Sequence, residues 1–280
     1  MTATVTPTES ESTSDGGLSI SASSSRTLEI KLPKTPANPI RPLPEAIETV
    51  RIARAQGFLL SAHESVVGLF GNLGFIRVLA GATRRRADLR GPLEEGQVDL
   101  LRAAIVFVAA GMDATVKQLV RDALPVLVRH SSTAQEKLID YVTSALVDSA
   151  GQVRGKALAG YLISGEIRDA LIESYVTHLT GDSLQSVEQL EKTLTALGVT
   201  DTAIRKDIAG LRPLFQARNE IVHELDLKHT TKPYERGRRV RRLAEVAVLC
   251  NLGLQLTQRI LNAVASSVRS ARESEKRAEL

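Results

Sequence analysis

Residues 103–112 read Ala-Ala-Ile-Val-Phe-Val-Ala-Ala-Gly-Met, the longest uncharged apolar run in the sequence. The run lies inside a longer helical pattern over residues 93–129 and stops at Asp113, far short of the ~20 residues that cross a bilayer. Asp113 and Lys117 stand four residues apart, and two polar residues in so apolar a helix must be partnered or turned toward a cleft. We therefore predict the core helix of a soluble protein, kinked or ended by Pro125.

Composition favours an all-α protein. Hydrophobic residues make up 43% of the 280 residues, yet only 3% are aromatic and Trp is absent. A core of Ala, Leu, Val and Ile suits packed helices better than a β-sandwich. Cys250 is the only cysteine, which excludes an internal disulfide and a cysteine-based zinc site. With no signal pattern in residues 1–25, we expect a cytoplasmic protein.

The two ends of the chain are polar. Residues 1–44 divide into a Ser/Thr-rich head and a Pro-rich stretch, and neither buries enough apolar surface to offset ordering. We predict a disordered N-terminal tail there, an N-terminal helical segment over residues 45–92, and a charged tail over residues 271–280. Within the second segment, the glycine-spaced residues 68–74 predict a turn or helix break, because they lack the Lys-Ser/Thr ending of a P-loop.

Capping residues and glycines delimit the other helices. One begins at Ser132 or Thr133, and another is capped near Ser186 and ends at Gly198. A third begins at Asp201 or Thr202, and Pro213 bends or restarts it. Further helical patterns cover residues 153–179 and 241–269.

The most informative motif is Arg218-Asn219-Glu220-Ile221-Val222-His223, which is followed by Glu224. An arginine holds a phosphate in a planar fork, and a histidine near neutral pH gives or takes a proton. The pair contains the minimum chemistry for cutting RNA without a metal. On an ideal helix, however, the two residues lie ~140° apart and ~7.5 Å along the axis. We therefore expect that one chain does not bring both groups to one phosphate and that a second protomer supplies the partner.

This motif resembles that of HEPN domains, which are helical domains common in prokaryotic toxins and defence systems. Residues 218–224 match the R-N-x-x-x-H form of the family's R-x(4–6)-H motif, and Asp226 follows. An apolar helix carrying Asp113, a capped helix ending in Leu197-Gly198, and a closing apolar helix agree in outline. The resemblance implies a helical bundle of HEPN type, with a HEPN-like domain over residues 93–270.

The resemblance also implies a reaction. HEPN ribonucleases need no metal and act as dimers, with two copies of the motif around one cleft. By position, Arg218 and His223 are the implied catalytic pair, and Asn219 is the polar residue that orients them. The RNA 2′-hydroxyl attacks the adjacent phosphorus and leaves a 2′,3′-cyclic phosphate and a 5′-hydroxyl, so the substrate is RNA rather than DNA. The expected partners are RNA, a second copy of the chain, and an antitoxin or another component of a defence system, with no cofactor.

Charged residues around the motif have expected supporting roles. Glu224 and Asp226 orient His223 or pair with nearby arginines, and Asp113 is the acid of the apolar helix. The net charge of +4 is too mild to indicate nucleic acid by itself, but basic residues concentrate after the motif and favour RNA binding there. This basic belt consists of Lys228, Lys232, Arg236, Arg238, Arg239, Arg241 and Arg242. The remaining histidines have no His or Cys at metal-site spacing, so we predict no metal site.

Two other functions are compatible with these residues. R-x(4)-H occurs by chance in many helices, and some HEPN domains serve as non-catalytic nucleotide-binding or scaffold modules. The first alternative is therefore an RNA- or nucleotide-binding module without turnover. The second is a helical interaction protein that dimerises and presents the basic belt to a partner.

Overall fold

A computed structural model describes residues 37–47, 49–83, 93–147, 166–184, 186–228 and 237–278. Helices dominate these residues, and the backbone pairing between Leu227 and Arg238 is an isolated bridge rather than a strand. The prediction of an all-α protein is confirmed. The helices are α1 (Ala53–Thr83), α2 (Glu95–His130), α3 (Ser132–Leu146), α4 (Ile167–Gly181), α5 (Val187–Ala196), α6 (Thr202–Ala209), α7 (Arg212–Glu224) and α8 (Leu243–Ala278).

Helix α2 forms the centre of the bundle and contacts α1, α3, α4, α7 and α8. Its apolar stretch is buried on several sides, with Ile105 and Val108 fully inaccessible. The helix continues through Pro125 to His130, so the part of the prediction that ended it at the proline is wrong. Leu124 and Leu127 on either side of the proline are buried, and this burial offsets the missing backbone hydrogen bond.

Helix α1 runs without interruption across residues 68–74, so the predicted turn or helix break is wrong. Glycines in a helix cost about 1 kcal/mol each relative to alanine. Phe70 and Leu73 are buried in the core within the same stretch, and burying such side chains contributes roughly 1.5–3 kcal/mol each. The helix begins at Ala53 and shares one core with α2 and α8. Residues 53–78 therefore belong to the main bundle rather than to a separate N-terminal segment.

Residues 37–47, named here the strap, lie along α8 and α1 without regular secondary structure. Ile40 of the strap is buried in the core. Side-chain amides spaced along one face of α8 hold its backbone. These bonds join Arg41 N to Asn251 Oδ1 (2.7 Å), Asn251 Nδ2 to Pro39 O (2.9 Å), Gln255 Nε2 to Pro42 O (2.7 Å), Asn262 Nδ2 to Glu45 O (2.8 Å) and Ile47 N to Asn262 Oδ1 (3.0 Å). The predicted disordered tail is thus wrong for residues 37–44, and residues 1–36 lie outside the described part of the chain.

The capping signals place the shorter helices correctly. Ser131, one residue before the predicted start of α3, accepts a hydrogen bond from Ala134 N, and Ser186 caps α5. Gly198 follows α5 with a φ of 70°, and Asp201 caps α6. Pro213 restarts the chain as α7, because it lies in the first turn of a new helix. Helix α4 occupies part of the predicted span 153–179, whose residues 153–165 are outside the described ranges.

The C-terminal helix α8 is longer than predicted. It continues to Ala278, so the expected charged tail is helical over residues 271–278. Ala271 is buried and extends the apolar face of the helix beyond residue 269. Hydrophobic periodicity weakens over these residues, and therefore the sequence pattern ends before the helix does.

Among the residues that the structure describes, two helices are long and apolar enough to cross a membrane by length and composition alone, over Ala53–Val78 and Glu95–His130. The second is α2, half of whose most apolar window is buried inside the bundle. Helix α2 contacts five neighbouring helices, so part of its apolar surface packs within the bundle.

Two glycines allow close approach of helices to α2 and α8. A methyl group on Gly111 of α2 would lie 2.2 Å from Ala62 Cβ of α1. A methyl group on Gly253 of α8 would lie 2.7 Å from Val108 Cγ1 and 2.9 Å from Leu214 Cδ2. Contacts this short require the backbones to move apart, so glycine at these positions sets the spacing of α1, α2, α7 and α8.

We expect Gly111→Ala to lower the free energy of unfolding by about 1–3 kcal/mol, because the added methyl group overpacks the interface between α1 and α2. Gly68→Ala on α1 is the matched control, since nothing lies within 4 Å of its added methyl group. This control should raise stability by about 0.5–1 kcal/mol through helix propensity. Chemical denaturation measures both values, and a stabilised Gly111→Ala protein would contradict the packing described.

Candidate functional site

Helix α7 presents the Arg218–His223 motif on the surface of the bundle. Leu214, Phe215 and Ala217 are buried against the core, and they fix the orientation of the helix. Arg218 and Asn219 are consequently half-buried, whereas His223 is exposed. The motif therefore lies on a rigid element with its imidazole open to solvent.

Arg218 and His223 meet within a single chain. Arg218 Nη1 lies 3.2 Å from His223 Nε2 and donates a hydrogen bond of 3.0 Å to Asn219 Oδ1. The expectation that helical spacing keeps Arg218 and His223 apart within one chain is wrong. The angular argument applies to Cβ positions, and the long, flexible arginine side chain spans the distance along the helix surface.

The contact sets the hydrogen-bonding roles of the two side chains. A guanidinium group has donors only, so His223 Nε2 must accept the hydrogen bond. Arg218 thus covers the lone pair that a general base would use.

A groove of about 370 Å³ lies beside Asn219, between α7 and the start of α5. Three carboxylates line it, and each has an arginine partner. The pairs are Glu188 with Arg212 at 3.0 Å, Glu220 with Arg241 at 2.8 Å and Glu224 with Arg239 at 3.3 Å. This pairing offsets the negative charge that would otherwise repel a phosphate.

The segment after α7 is anchored by a buried carboxylate. Leu225 and Asp226 adopt left-handed backbone conformations with φ of 52° and 58°, and they turn the chain back toward α2. Asp226 is fully buried and accepts hydrogen bonds from Arg102 Nε at 2.7 Å and from Arg241. Asp226 therefore has a structural pairing role and does not contact His223 among the described hydrogen bonds.

Arg102 is the residue of this network that the sequence analysis missed. It lies on α2, is only 5% exposed, and also bonds Glu95, Asp99 and the carbonyl oxygen of Arg239. A charged residue directly before the apolar run at residues 103–112 is the signal that could have indicated a buried ion pair. The acidic partner of Arg102, Asp226, lies far along the sequence, so residue spacing alone does not identify it.

The pKa of the Asp226 carboxyl group is lowered. Burial alone raises the pKa of its carboxyl group, but hydrogen bonds from Arg241 and Arg102 outweigh burial and lower the pKa below its ordinary value of 3.8. The carboxylate is therefore charged in the folded protein at neutral pH.

The basic belt is largely used in ion pairs. Arg238 contacts Glu95 and Asp99, Arg239 contacts Glu220 and Glu224, and Arg241 contacts Glu220 and Asp226; these pairs are at 2.5–3.5 Å. Arg242 is exposed and 3.4 Å from Glu245, and Lys228 is exposed. Lys232 and Arg236 fall outside the described residues. The side chains of Arg239 and Arg241 are 25% and 14% exposed and are paired with acidic partners, so their role in RNA binding stays a prediction.

Asp113, another candidate site residue, is held by contacts within the bundle. Asp113 accepts a hydrogen bond from Leu184 N at 2.7 Å and pairs with Lys117 at 3.1 Å. It is partnered as expected, but its contacts do not include the motif.

Cys250 is buried, and burial raises the pKa of its thiol to about 12, which leaves it unreactive. No group of metal-binding side chains occurs in the described ranges.

Comparisons of the chain with protein-family models, curated proteins and solved structures found no match. The resemblance to HEPN domains consequently rests on residues 218–224 and their helical surroundings.

We expect Asp226→Asn to lower the free energy of unfolding at pH 7 by about 2–4 kcal/mol, because two arginines lose a buried counter-charge. Asparagine tolerates the left-handed backbone, so the substitution isolates the charge. Because the folded-state pKa is lowered, the stabilisation is complete above pH 3.8 and disappears as pH falls through the folded-state value. Urea denaturation of both proteins from pH 7 to pH 2.5 measures the difference, and a gap that stays constant in acid would contradict the assignment.

Proposed function

We propose that this protein is a metal-independent endoribonuclease that cleaves RNA by attack of the 2′-hydroxyl on the adjacent phosphorus. The observation that carries the proposal is the 3.2 Å contact between Arg218 Nη1 and His223 Nε2, with Asn219 bonded to the same guanidinium group. A phosphate-binding cation and a proton-transfer group stand side by side on the protein surface. Both are held on a helix whose opposite face is buried.

His223 and Arg218 have different roles in the proposed reaction. His223 Nε2 accepts the proton of the 2′-hydroxyl, and the 2′-oxygen bonds to phosphorus while the bond from phosphorus to the 5′-oxygen breaks. Arg218 donates hydrogen bonds to the non-bridging oxygens as their charge grows. The leaving 5′-oxygen takes up a proton from water, and protonated His223 returns its proton to solvent, so the products are a 2′,3′-cyclic phosphate and a 5′-hydroxyl.

Substrate must separate the two groups before reaction. Arg218 occupies the lone pair of His223 Nε2 in the resting protein, and a phosphate offers the guanidinium group a charged, bidentate acceptor instead. Movement of Arg218 onto the phosphate would expose Nε2 to the 2′-hydroxyl. Asn219 Oδ1 stays within reach of the guanidinium group and would restrict its orientation.

A homodimer is part of the proposal. Exposed apolar side chains surround the end of the motif helix: Val222 is 42% exposed, Leu225 is 66% exposed and Val240 is 72% exposed. The backbone of Arg239 bonds to Asp226, so Val240 and Leu225 flank one paired segment. A second copy docked on this face would cover the apolar side chains and bring two motifs together.

As in the HEPN ribonucleases that the motif resembles, we assign the activity to a cytoplasmic toxin or defence effector. An enzyme that cleaves cellular RNA needs restraint, and an antitoxin or defence-system partner would supply it. Such a partner would bind near His223, where it blocks access to the imidazole.

A non-catalytic RNA- or nucleotide-binding module is the second candidate. The resting contact between Arg218 and His223 favours it, because an imidazole that accepts from arginine also serves as a structural support. A helical interaction protein is the third, and the exposed apolar side chains at the end of α7 favour it.

Purified protein should cleave total RNA in the presence of a metal chelator, and His223→Ala should slow cleavage by about 10²–10⁴-fold through loss of proton transfer. Arg218→Ala should have a comparable effect through loss of charge stabilisation. Gel analysis measures the rates, and enzymatic end-group analysis identifies the 2′,3′-cyclic phosphate.

His130→Ala is the matched control, since His130 is an exposed histidine at the end of α2, and it should cleave at the wild-type rate. If wild type leaves RNA intact but binds it, the non-catalytic module is correct. If wild type neither cleaves nor binds RNA, the nuclease and an RNA-binding module are excluded, and a nucleotide-binding module or an interaction protein remains.

Val240→Asp should shift the protein from dimer to monomer and raise the dimer dissociation constant by at least about tenfold, because a charge would be buried at the interface. Val50→Asp is the control, since Val50 is 84% exposed and lies before α1. Sedimentation at micromolar concentration measures both, and a wild-type monomer would contradict the proposed dimer.

A further inference from the structure

A second groove, of about 720 Å³, opens between α3, α4 and α5. It is named here the aromatic groove, because two tyrosine rings and a histidine ring line it. The sequence has only four tyrosines and no tryptophan, so half of its tyrosines lie at this one place. The polar side chains around the rings are Lys137, Asp140, Ser144, His178, Lys192 and Thr195.

The rings are stacked and held in place. Tyr141 and Tyr175 have ring centroids 4.8 Å apart with an interplanar angle of 26°, and His178 lies 5.0 Å from Tyr141. The Tyr141 hydroxyl shares a 2.8 Å hydrogen bond with Ser174 Oγ. His178 is exposed and Tyr141 is half-buried, so the stack presents an aromatic surface to the groove.

Tyr175 contributes a hydroxyl group without a partner. The residue is only 4% exposed and lines the groove, yet its hydroxyl makes no hydrogen bond within the described residues. Burial raises the pKa of this hydroxyl to about 12, with Asp140 and Tyr141 adding to the effect, so it stays a neutral donor. Among the described residues only Thr49 and Thr115 have buried hydroxyls without a partner, so the Tyr175 hydroxyl is accessible from the groove and can donate to a ligand there.

Lys192 supplies positive charge. Its ammonium group lies 2.9 Å from His178 Nε2, which must accept because the ammonium has no lone pair. Within the described residues, no carboxylate lies within ion-pair distance of Lys192. Lys137 differs, because Asp140 pairs with it at 2.7 Å. Burial and the charge of Lys192 lower the pKa of His178, so the imidazole next to this cation is neutral at pH 7.

We propose that the aromatic groove binds a nucleoside phosphate. The heterocyclic base stacks on His178 and Tyr141, the phosphate binds Lys192, and the Tyr175 hydroxyl donates to an acceptor on the ligand. Stacking on aromatic side chains combined with a nearby cation is the arrangement by which proteins hold single nucleotides without reading their sequence. The groove volume falls within the range of small-molecule sites.

The ligand has two sources with the same chemistry, a free nucleotide and one nucleotide of an RNA strand. The position of the aromatic groove near the proposed cleavage site favours the second source, a nucleotide of an RNA strand. Glu188 lines the groove beside Asn219, and Lys192 stands four residues later on α5, about 6 Å along the same helix face. Binding of a nucleoside phosphate does not depend on the proposed nuclease activity, whereas a role in holding the RNA substrate rests on it.

The test is calorimetric titration of the full chain with adenosine 5′-monophosphate. Lys192→Gln should weaken binding about tenfold through loss of the phosphate contact. Tyr175→Phe keeps the ring and its packing, so it should weaken binding several-fold without loss of stability. Lys206→Gln is the matched control, since Lys206 is an exposed lysine on α6, and its affinity should equal that of wild type.

Inorganic phosphate should bind at least about tenfold more weakly than the nucleotide, because it offers no ring to stack. Absence of nucleotide binding at about 1 mM, equal affinity for inorganic phosphate, or equal affinity in wild type, Lys192→Gln and Tyr175→Phe would each overturn the proposal.

A decamer of uridylate, titrated into the His223→Ala protein, separates the two sources. If the His223→Ala, Lys192→Gln double variant binds the decamer more weakly than His223→Ala alone, the ligand is a nucleotide of an RNA strand. Unchanged decamer binding, with the loss of monophosphate binding retained, identifies a free nucleotide. If wild type does not cleave RNA while Lys192→Gln still weakens nucleotide binding, the nuclease proposal fails and the aromatic groove stands.

Discussion

Four helices meet around one turn of α2, between Val108 and Met112, and their close approach determines the rest of the bundle. Gly111 allows α1 to contact α2, and Gly253 of α8 fits between α2 and Leu214 of α7. A rigid core does not accept an extra methyl group at these positions without moving a helix. Because α7 is one of the four, the positions of Arg218 and His223 depend on this packing in the core. The proposed site is thus placed on a helix rather than on a loop, which favours stable geometry.

The charged residues next to the motif mainly stabilise the fold. Asp226 connects α2 through Arg102, and the start of α8 through Arg241, to the end of the motif helix. Removal of a charge from such a buried set leaves its partners uncompensated, so the set is retained as a unit. The arginines that look available for RNA in the sequence are mostly occupied, and Lys192 in the aromatic groove is a cation without a described carboxylate partner.

The elements that obey local rules could be predicted from the sequence, and those that depend on distant partners could not. Ser186 and Asp201 cap their helices through hydrogen bonds a few residues away, and Pro213 restarts a helix by its own ring geometry. Residues 68–74 failed as a predicted break because burial against α2 outweighs the glycine propensities. The pairing of Arg102 with Asp226 spans 124 positions, and no local spacing indicates it. The motif was found by its residue types, but the contact of Arg218 with His223 depends on a side-chain conformation that helical angles do not specify.

The strap has a consequence for synthesis of the protein. Its backbone partners on α8 lie 210 to 217 positions later in the chain, so they do not exist until most of the polypeptide has been translated. During synthesis Ile40 and the start of α1 lack the surface that covers them in the native bundle. Long-range contacts of this kind form late and leave apolar segments exposed to aggregation or to chaperones in the meantime. The bonds of the strap to α8 therefore form only after the ribosome has delivered that helix, whereas its bonds to α1 have partners only 22 and 29 positions away.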